Sequence, residues 1–273
     1  GSIPSQLGDL SNLETLKLEF NQITGSIPPE LENLSKIKSF AFAFNELNGG
    51  IPAWLGNMTT LENLTLGNNP LGGEIPSSLG NLVNLTGLML FRIEATGSIP
   101  SSFGNQDKLT HLHIHSNNFS GSSIPPELGD MDSIEHLWMG QNQLEGSIPE
   151  ELGDLTQIRT LFLEDNQLTG DIPDSLTNLT ELCIPGACDD IDFYDYGLSL
   201  GYNHLNTTGL STPLLDFLAV NDPDWKSTQV AEETITGGTG GSLTSNDGNT
   251  EITIPPDAVE GEGTFTFETQ TPF

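Results

Sequence analysis

Imidazole and aromatic side chains that could bind a metal or a ligand are concentrated in one part of the sequence. His111, His113 and His115 alternate along the chain, and His136 and Trp138 follow in a similar local pattern. Alternate residues of a β-strand share one face, so the three imidazoles of the first group project together. Zn²⁺ binds three or four nitrogen or sulfur ligands at about 2.0–2.1 Å. The sequence therefore predicts a zinc site formed by His111, His113 and His136, with plain recognition of a ligand as the alternative.

A second group of candidate metal ligands is the acidic segment 189–195. It contains Asp189, Asp190, Asp192 and Asp195, and alternating carboxylates can supply oxygen ligands to Ca²⁺. The spacing lacks the glycine and the terminal glutamate of an EF-hand loop. A calcium site and a solvated acidic loop are the two readings of this segment.

The two cysteines of the chain, Cys183 and Cys188, lie close together. An isolated close pair is typical of a small loop closed by a disulfide in an oxidising compartment. Two unpaired thiols are the alternative. A disulfide would agree with an extracellular or cell-surface location.

One motif has the spacing of a hydrolase nucleophile. Gly197, Ser199 and Gly201 spell GxSxG, but a nucleophile elbow requires a strand-to-helix turn with a histidine and an acid beside it. Ser199 is instead expected to be an outward residue of a repeat strand. The sequence contains neither a P-loop nor a dinucleotide-binding fingerprint. We therefore predict that the protein is not an enzyme.

Internal repeats determine how these residues are positioned. Six units contain 24 residues, and the fifth contains 25 because of an extra residue near Ser122. The shared pattern is LxxLxLxxNxLxGxIPxxLGxL, and the units span 13–36, 37–60, 61–84, 85–108, 109–133, 134–157 and 158–181. The alternation LxxLxL predicts one short strand per unit, and such strands bury their apolar face only by stacking into a parallel sheet.

Three further repeat positions have predictable structural roles. The glycine of GxIP permits a tight turn, and each Ile-Pro pair keeps the following backbone extended. The glycine of Leu-Gly is expected to end a short helical turn on the convex side. A buried asparagine is expected to satisfy backbone groups where each strand ends, in a series of Asn21, Asn45, Asn69, Asn117, Asn142, Asn166 and Asn203. Ile93 interrupts that series.

These motifs resemble the plant-specific class of leucine-rich repeats found in receptor-kinase ectodomains, polygalacturonase inhibitors and secreted bacterial proteins. The resemblance covers residues 1 to about 205. It implies an α/β fold, a right-handed horseshoe-shaped solenoid with a concave parallel sheet and short helical turns on the convex side. It also implies an extra strand from the segment that contains GxIP, and ligand binding on the concave face. Fold alone does not identify the ligand.

The outward positions of units four to seven form the predicted binding patch. Strands of a sheet lie about 4.8 Å apart, so equal positions of successive units are neighbours. A contiguous aromatic patch is typical of a recognition surface. The predicted ligand-binding residues are Met89, Phe91, His111, His113, His115, His136, Trp138 and Phe162. The predicted function is recognition or adhesion by binding a protein or glycan. The alternatives are a metal-binding surface, and a structural spacer or shielding module adapted to salt or cold, as in similar plant ice-binding proteins.

The C-terminal part of the chain departs from the repeat. The solenoid and its cap are predicted to span 1–225, with an insert at 183–196 and a capping helix around Leu214 and Leu218. Residues 226–238 are interpreted as a linker. Residues 239–273 resemble the opening of a ZU5-type β-sandwich, with a hairpin around Asn246-Asp247-Gly248, and are interpreted as a truncated fragment.

Charge limits the classes of partner. The chain has 38 acidic and 7 basic residues, a formal net charge of −31. This field repels nucleic acid and anionic membranes and attracts basic partners. The sequence has no apolar run long enough to span a membrane, so no membrane insertion is expected. It predicts no cofactor apart from the zinc and calcium candidates.

Overall fold

The computed structural model describes residues 1–183 and 197–229, together with four strands between 231 and 267. Each repeat contributes one short strand to an eight-stranded parallel sheet, which we call the concave sheet. Its strand order follows the chain, so each repeat pairs with the repeats before and after it. The predicted α/β solenoid with one strand per repeat is confirmed.

The solenoid contains short strands of the concave sheet, and in some repeats a further short strand at its margin. In chain order they are β1 Thr15–Lys17, β2 Thr24–Gly25, β3 Ser39–Ala41, β4 Glu46–Leu47, β5 Asn63–Thr65, β6 Gly87–Met89, β7 His111–His113, β8 His136–Trp138, β9 Glu145–Gly146, β10 Thr160–Phe162, β11 Gln167–Gly170, β12 Leu198–Ser199 and β13 His204–Leu205. The concave sheet has the order β1-β3-β5-β6-β7-β8-β10-β12. The two-stranded sheet β2-β4 and the three-stranded sheet β13-β11-β9 contain the extra strands expected beside GxIP.

The core lies between the concave sheet and a row of short 3-10 helices. The middle residue of each three-residue sheet strand points inward, and Leu64, Leu88 and Leu112 are fully buried. The helices stack on one another in chain order. They span Ser5–Asp9, Pro29–Asn33, Ala53–Asn57, Ser77–Asn81, Ser101–Asn105, Pro126–Asp130, Glu150–Asp154 and Asp174–Asn178.

The glycine of the Leu-Gly motif has a different role from the expected one. It lies inside the 3-10 helix and does not adopt the left-handed conformation of a helix cap. A Cβ atom at Gly56 would overlap the carbonyl oxygen of Ser78 in the next repeat. The position therefore requires glycine because successive helices pack backbone to backbone, and the capping interpretation is wrong.

The buried asparagines form the expected ladder between repeats. The Asn69 side chain donates to the carbonyl oxygens of Phe42 and Leu66, at 3.0 and 2.8 Å, and its Oδ1 accepts from the backbone N–H of Leu47 at 3.0 Å. Asn45, Asn142, Asn166 and Asn203 make equivalent contacts. Each amide thus joins two repeats and satisfies backbone groups that the turn leaves without partners.

Ile93 interrupts the ladder, and the backbone compensates locally. Ile93 is fully buried, so the ninth position of the repeat points inward in this unit as well. Leu71 N–H, which would meet an asparagine there, donates instead to the carbonyl of Asn69 at 2.8 Å. Arg92 and Glu94 on either side of Ile93 both have positive φ angles. The lost side-chain acceptor is therefore replaced by a change in backbone conformation.

A helix and a glutamine complete the end of the solenoid. The helix α1, Thr212–Asn221, begins at Ser211, whose hydroxyl accepts from Leu214 N–H at 3.3 Å. Gln229 takes the place of a ladder asparagine, because its Oε1 accepts from Leu205 N–H at 3.0 Å. Residues 226–229 thus belong to the cap, and the predicted linker starts too early.

No helix among the described residues is long and apolar enough to cross a membrane.

The four C-terminal strands form two antiparallel pairs. They are β14 Ala231–Thr236, β15 Gly241–Thr244, β16 Glu251–Ile254 and β17 Glu262–Phe267. β15 pairs with β16, as the predicted hairpin requires, and β14 pairs with β17. β14 lies within the predicted linker, so that part of the linker is a strand. The predicted turn residues 246–248 lie outside the described residues.

The excess of acidic residues predicts a dependence of stability on salt. An ion pair between described residues joins Lys38 and Glu14 at 3.0 Å, on an exposed surface. Because the chain has 38 acidic and only 7 basic residues, most of its carboxylates cannot form an ion pair. Screening of their mutual repulsion should stabilise the fold. We expect the melting temperature to rise by about 2–4 °C between dilute buffer and molar sodium chloride. Calorimetry over that range measures it, and a flat or falling melting temperature would contradict it.

Candidate functional site

Aromatic and imidazole rings follow one another across the outer face of the concave sheet. Residues of neighbouring strands are in register, with His111 beside His136 and His113 beside Trp138. The rings extend from the first repeat to the seventh. We call this set the aromatic belt; it comprises Phe20, Phe44, Phe91, His111, His113, His115, His136, Trp138 and Phe162.

Each ring of the belt contacts the next. Phe20 stacks on Phe44 at 4.5 Å between ring centroids, and Phe44 lies 5.9 Å from Phe91. Phe91 stacks on His115 at 5.2 Å. Trp138 continues the series, because it lies 5.9 Å from His115 and 5.3 Å from Phe162. Aromatic pairs at these separations are favourable contacts, so the belt is an ordered surface rather than a set of separate side chains.

Two glycines on the sheet make room for side chains of the next repeat. A Cβ atom at Gly67 would overlap the ring of Phe91, and one at Gly140 would overlap the carboxylate of Glu164. Phe91 and Glu164 therefore lie flat over the backbone of the preceding strand. A glycine at an outward position of one repeat therefore indicates that a side chain of the next repeat packs over it. This pattern was not used in predicting the site from the sequence.

The predicted patch is more buried than the sequence suggested. Only 6% of His136 and 2% of Phe162 are exposed, while Met89, Phe91, His111, His113, His115 and Trp138 are half-buried. The cause is the close spacing of the strands, which makes large neighbouring side chains cover one another. The ring centroids of His136 and His111 lie 4.6 Å apart, and the ring of Phe162 packs on that of Trp138. The prediction that all these residues are exposed together is wrong for His136 and Phe162.

Two threonines hold rings of the belt in fixed orientations. Thr160 Oγ1 accepts from Trp138 Nε1 at 2.7 Å and lies 2.8 Å from His136 Nδ1. Thr110 Oγ1 lies 2.8 Å from His111 Nδ1. Because hydrogen bonds restrict ring rotation, a ligand meets a surface that is already arranged.

Two imidazoles of the belt are held in the neutral form. Burial, together with the neighbouring His111, His115 and His136, lowers the pKa of His113 to about 3. Burial and the nearby Arg92 lower the pKa of His115 to about 4. Both rings therefore act as neutral, flat, partly polar surfaces at neutral pH and not as cations.

The histidines do not converge on one point. His113 stacks flat on Trp138 at 3.9 Å and its ring centroid is 6.0 Å from that of His111. Across the described part of the chain, no group of three or more His, Cys, Asp or Glu side chains could hold a metal ion. The predicted set of His111, His113 and His136 is thus brought together as stacked rings, and ring stacking competes with metal coordination.

A cavity lies at the C-terminal end of the belt. Its volume is about 400 Å³, and its walls come from the residues after β10, from β12 and the residues after it, and from the cap. Glu164, Asp222 and Asp224 line it together with the hydroxyl side chains of Ser199 and Thr228. Burial raises the pKa of Glu164 to about 7 and that of Asp222 to about 6.

Other candidate residues have less informative positions. Ser199 lies in β12 and contacts Glu164, so the GxSxG segment is a repeat strand and not a strand-to-helix turn. Cys183 is disulfide-bonded, and the other cysteine of the chain, Cys188, lies outside the described residues. The candidate calcium ligands Asp189, Asp190, Asp192 and Asp195 also lie outside them.

Sequence reasoning missed the N-terminal part of the belt. Phe20 is 75% exposed and Phe44 is 37% exposed, and both precede a ladder asparagine. Their backbones have φ angles of 56° and 57°, and other repeats share this left-handed conformation. It turns the side chain back toward the sheet surface. An aromatic residue directly before the ladder asparagine is the signal that could have revealed them.

Comparison with known proteins agrees with the architecture. The Leucine Rich Repeat family model matches residues 12–34, 60–82, 108–131, 133–155 and 157–179. No curated protein matches the chain in sequence. Among solved structures, it is similar to the ectodomain of the Arabidopsis thaliana receptor kinase GASSHO1/SCHENGEN3, solved with CASPARIAN STRIP INTEGRITY FACTOR 2. That match has 33% identity and a TM-score of 0.68, and it covers 75% of this chain and 23% of that one.

Two further structures extend the comparison. The Arabidopsis receptor kinase HAESA, solved with the peptide hormone IDA and the co-receptor SERK1, has 33% identity and a TM-score of 0.65, with 75% of this chain and 32% of that chain covered. A plant ice-binding protein has 27% identity and a TM-score of 0.53, with 75% and 69% covered. The chain thus spans about a quarter to a third of the receptor ectodomains that it matches.

Proposed function

Because this chain is a leucine-rich-repeat protein of the plant type, we propose that it is an extracellular recognition module that binds a protein ligand on the aromatic belt. The single observation that carries the proposal is the series of ring contacts that extends from the first repeat to the seventh, with rings from six of them. Aromatic side chains are enriched in the energetically dominant parts of protein interfaces. Isolated exposed rings need no explanation, whereas a contiguous series does.

The order of the belt favours binding over a purely structural role. The outer face of a repeat sheet contributes little to the core, yet here glycines, threonines and stacked rings fix its side chains. A surface that is already arranged loses less conformational entropy when a ligand binds. The similar receptor ectodomains were solved with a protein or peptide ligand, which supports a ligand of the same chemical class.

Substitution in the belt tests the proposal. Short peptides selected from a random displayed library on the wild-type protein serve as probes, and isothermal titration calorimetry measures their affinity. We expect the double variant Phe91→Ala/Trp138→Ala to weaken binding at least about tenfold, or about 1.4 kcal/mol, because it removes two half-buried rings. Phe162 is unsuitable for this test because it is buried.

A matched control separates the belt from the rest of the apolar surface. Val83 is 51% exposed and is not part of the belt, so Val83→Ala should leave the affinity unchanged. Melting curves of all variants check the fold. Unchanged affinity in the folded double variant would refute the belt as the contact surface. Failure to select any peptide, combined with binding to a glycan array, would reassign the ligand to carbohydrate.

Similarity to the plant ice-binding protein supports a second candidate function. Ice binding requires a flat and regular array of small polar side chains. Outward positions of the concave sheet are irregular here, since the third position of successive units changes from Ser39 to Asn63, Gly87 and His111. Ordinary ice growth in a solution of the protein would dismiss this candidate.

A further inference from the structure

The cavity at the end of the belt contains a carboxylate with an unused hydrogen-bonding atom. Glu164 Oε2 is buried and has no hydrogen-bond partner among the described residues, although an ionised carboxylate accepts several hydrogen bonds. The rest of the group is held in place, because Ser199 and the backbone of Glu164 both donate to it. Buried acceptors without partners are rare and costly. This oxygen therefore indicates a missing donor within the cavity.

The charges of the cavity identify the missing donor as a cation. Among the described residues, its lining includes the four carboxylates of Glu164, Asp165, Asp222 and Asp224, and neither lysine nor arginine. Asp222 is fixed in position, since its Oδ2 accepts from Leu200 N–H at 2.6 Å. Asp222 is buried and Glu164 is half-buried, whereas Asp165 and Asp224 are exposed. The two covered carboxylates repel each other, and a cation placed beside them would relieve that repulsion.

The size of the cavity favours an organic cation over a metal ion. Calcium ligands lie at about 2.3–2.6 Å from the ion, so a calcium site is compact. The cavity volume is about 400 Å³, which is in the range of sites for small organic groups. The described residues of its walls also form no group of His, Cys, Asp or Glu side chains that could hold a metal ion. An ammonium or guanidinium group on a side chain fits both the charge and the space.

The cavity adjoins the belt, because Ser199, which lines it, is the strand partner of Phe162. Glu164 follows Phe162 by two residues, so both side chains lie on the outer face of the sheet, and Phe162 contacts Trp138. We infer, on the basis of the proposed function, that the cavity is a subsite for one lysine or arginine side chain of the protein ligand whose other residues contact the aromatic belt. Glu164 is the group that receives the cation, and Asp222 and Asp224 supply further negative charge.

The same site makes ligand affinity depend on pH in a defined direction. A cation binds the ionised carboxylates, and the pKa values of Glu164 and Asp222 are raised to about 7 and about 6. Asp165 and Asp224, which face these two groups, add negative charge. Affinity for a cationic probe should therefore rise between about pH 5.5 and about pH 8 as Glu164 loses its proton. A site made of imidazoles that bind an anion would show the opposite trend.

Two small molecules that differ mainly in charge test the inference. N-acetyl-arginine amide carries a guanidinium group, and N-acetyl-citrulline amide is its uncharged counterpart. We expect NMR titration of the wild-type protein to show saturable binding of the arginine compound at the cavity, and at least about tenfold weaker binding of the citrulline compound. Glu164→Gln should weaken binding of the arginine compound at least about fivefold. Asp216→Asn removes an exposed charge from α1 and should leave that binding unchanged.

The outcomes separate this inference from the proposed function. Equal loss of affinity in Glu164→Gln and Asp216→Asn would mean uptake by the acidic surface in general and would overturn the inference. So would equal binding of the two compounds, or no measurable binding of either. The selected peptides can still bind the belt in these cases, and the proposed function then stands alone. Conversely, saturable arginine binding with unchanged peptide affinity in Phe91→Ala/Trp138→Ala would support cation binding in the cavity but refute the belt, and with it the assignment of the cavity as a subsite beside the belt.

Discussion

Replacing Asn142 with alanine should lower the free energy of unfolding by about 1–3 kcal/mol. The Asn142 side chain is buried and donates to the carbonyl oxygens of Met139 and Ile114, at 2.8 and 3.2 Å. Its Oδ1 accepts from Asn117 N–H at 2.9 Å. Alanine would leave these backbone groups without partners in a space that water does not freely enter. Chemical denaturation of the two proteins measures the difference.

Asn21 provides the matched control for this prediction. It occupies the same repeat position at the exposed end of the ladder, where its amide donates to Leu18 and Glu19. Water can replace those hydrogen bonds, so Asn21→Ala should cost much less than Asn142→Ala. Equal and small costs at both positions would show that solvent satisfies the ladder and that burial of the amides is unimportant.

Glu164→Gln should raise the free energy of unfolding by about 1–3 kcal/mol at pH 8 and change it little near pH 4. Burial raises the pKa of Glu164 from its model-compound value of 4.5 to about 7 in the folded protein. Between these two values the folded state binds a proton that the unfolded state has lost. Stability from this group is therefore present at low pH and falls as pH rises through that window. Glutamine does not titrate, so the variant avoids this loss.

The measurement is a set of denaturation curves for both proteins across that pH range. Asp216→Asn removes the same charge from an exposed position and should show no such pH-dependent difference. It also controls for the general repulsion among the acidic residues. If Glu164→Gln destabilised the protein equally at all pH values, the ionised carboxylate would be a structural acceptor and not a group under strain.

Repeat periodicity determined the architecture because each repeated position of the motif requires one particular local conformation. Alternating leucines require a strand with one buried face, and stacking of identical units requires a parallel sheet. The asparagine ladder follows from the same repetition, and even its interruption at Ile93 was visible in the sequence. Register between strands also follows, so that His111 lies beside His136 as expected.

Side-chain packing on the outer face could be decided only by the tertiary structure. Periodicity shows which residues point outward, but not that Phe91 lies over Gly67 or that Phe162 is covered. Phe20 and Phe44 joined the belt because of a left-handed backbone residue that no repeat motif specifies. Gln229 closed the ladder from a segment whose composition is typical of a linker.

The cavity shows the same division most clearly. Glu164 follows the strand β10, Asp222 directly follows the capping helix, and Thr228 lies in the segment after it. The two carboxylates did not stand out in a sequence with so many acidic residues, and no motif singled out the threonine. Only the folded chain brings them together and removes water from Glu164, because burial and the distance between charges depend on long-range contacts. Sequence repetition therefore determined the scaffold, whereas the contacts between repeats and cap determined the site.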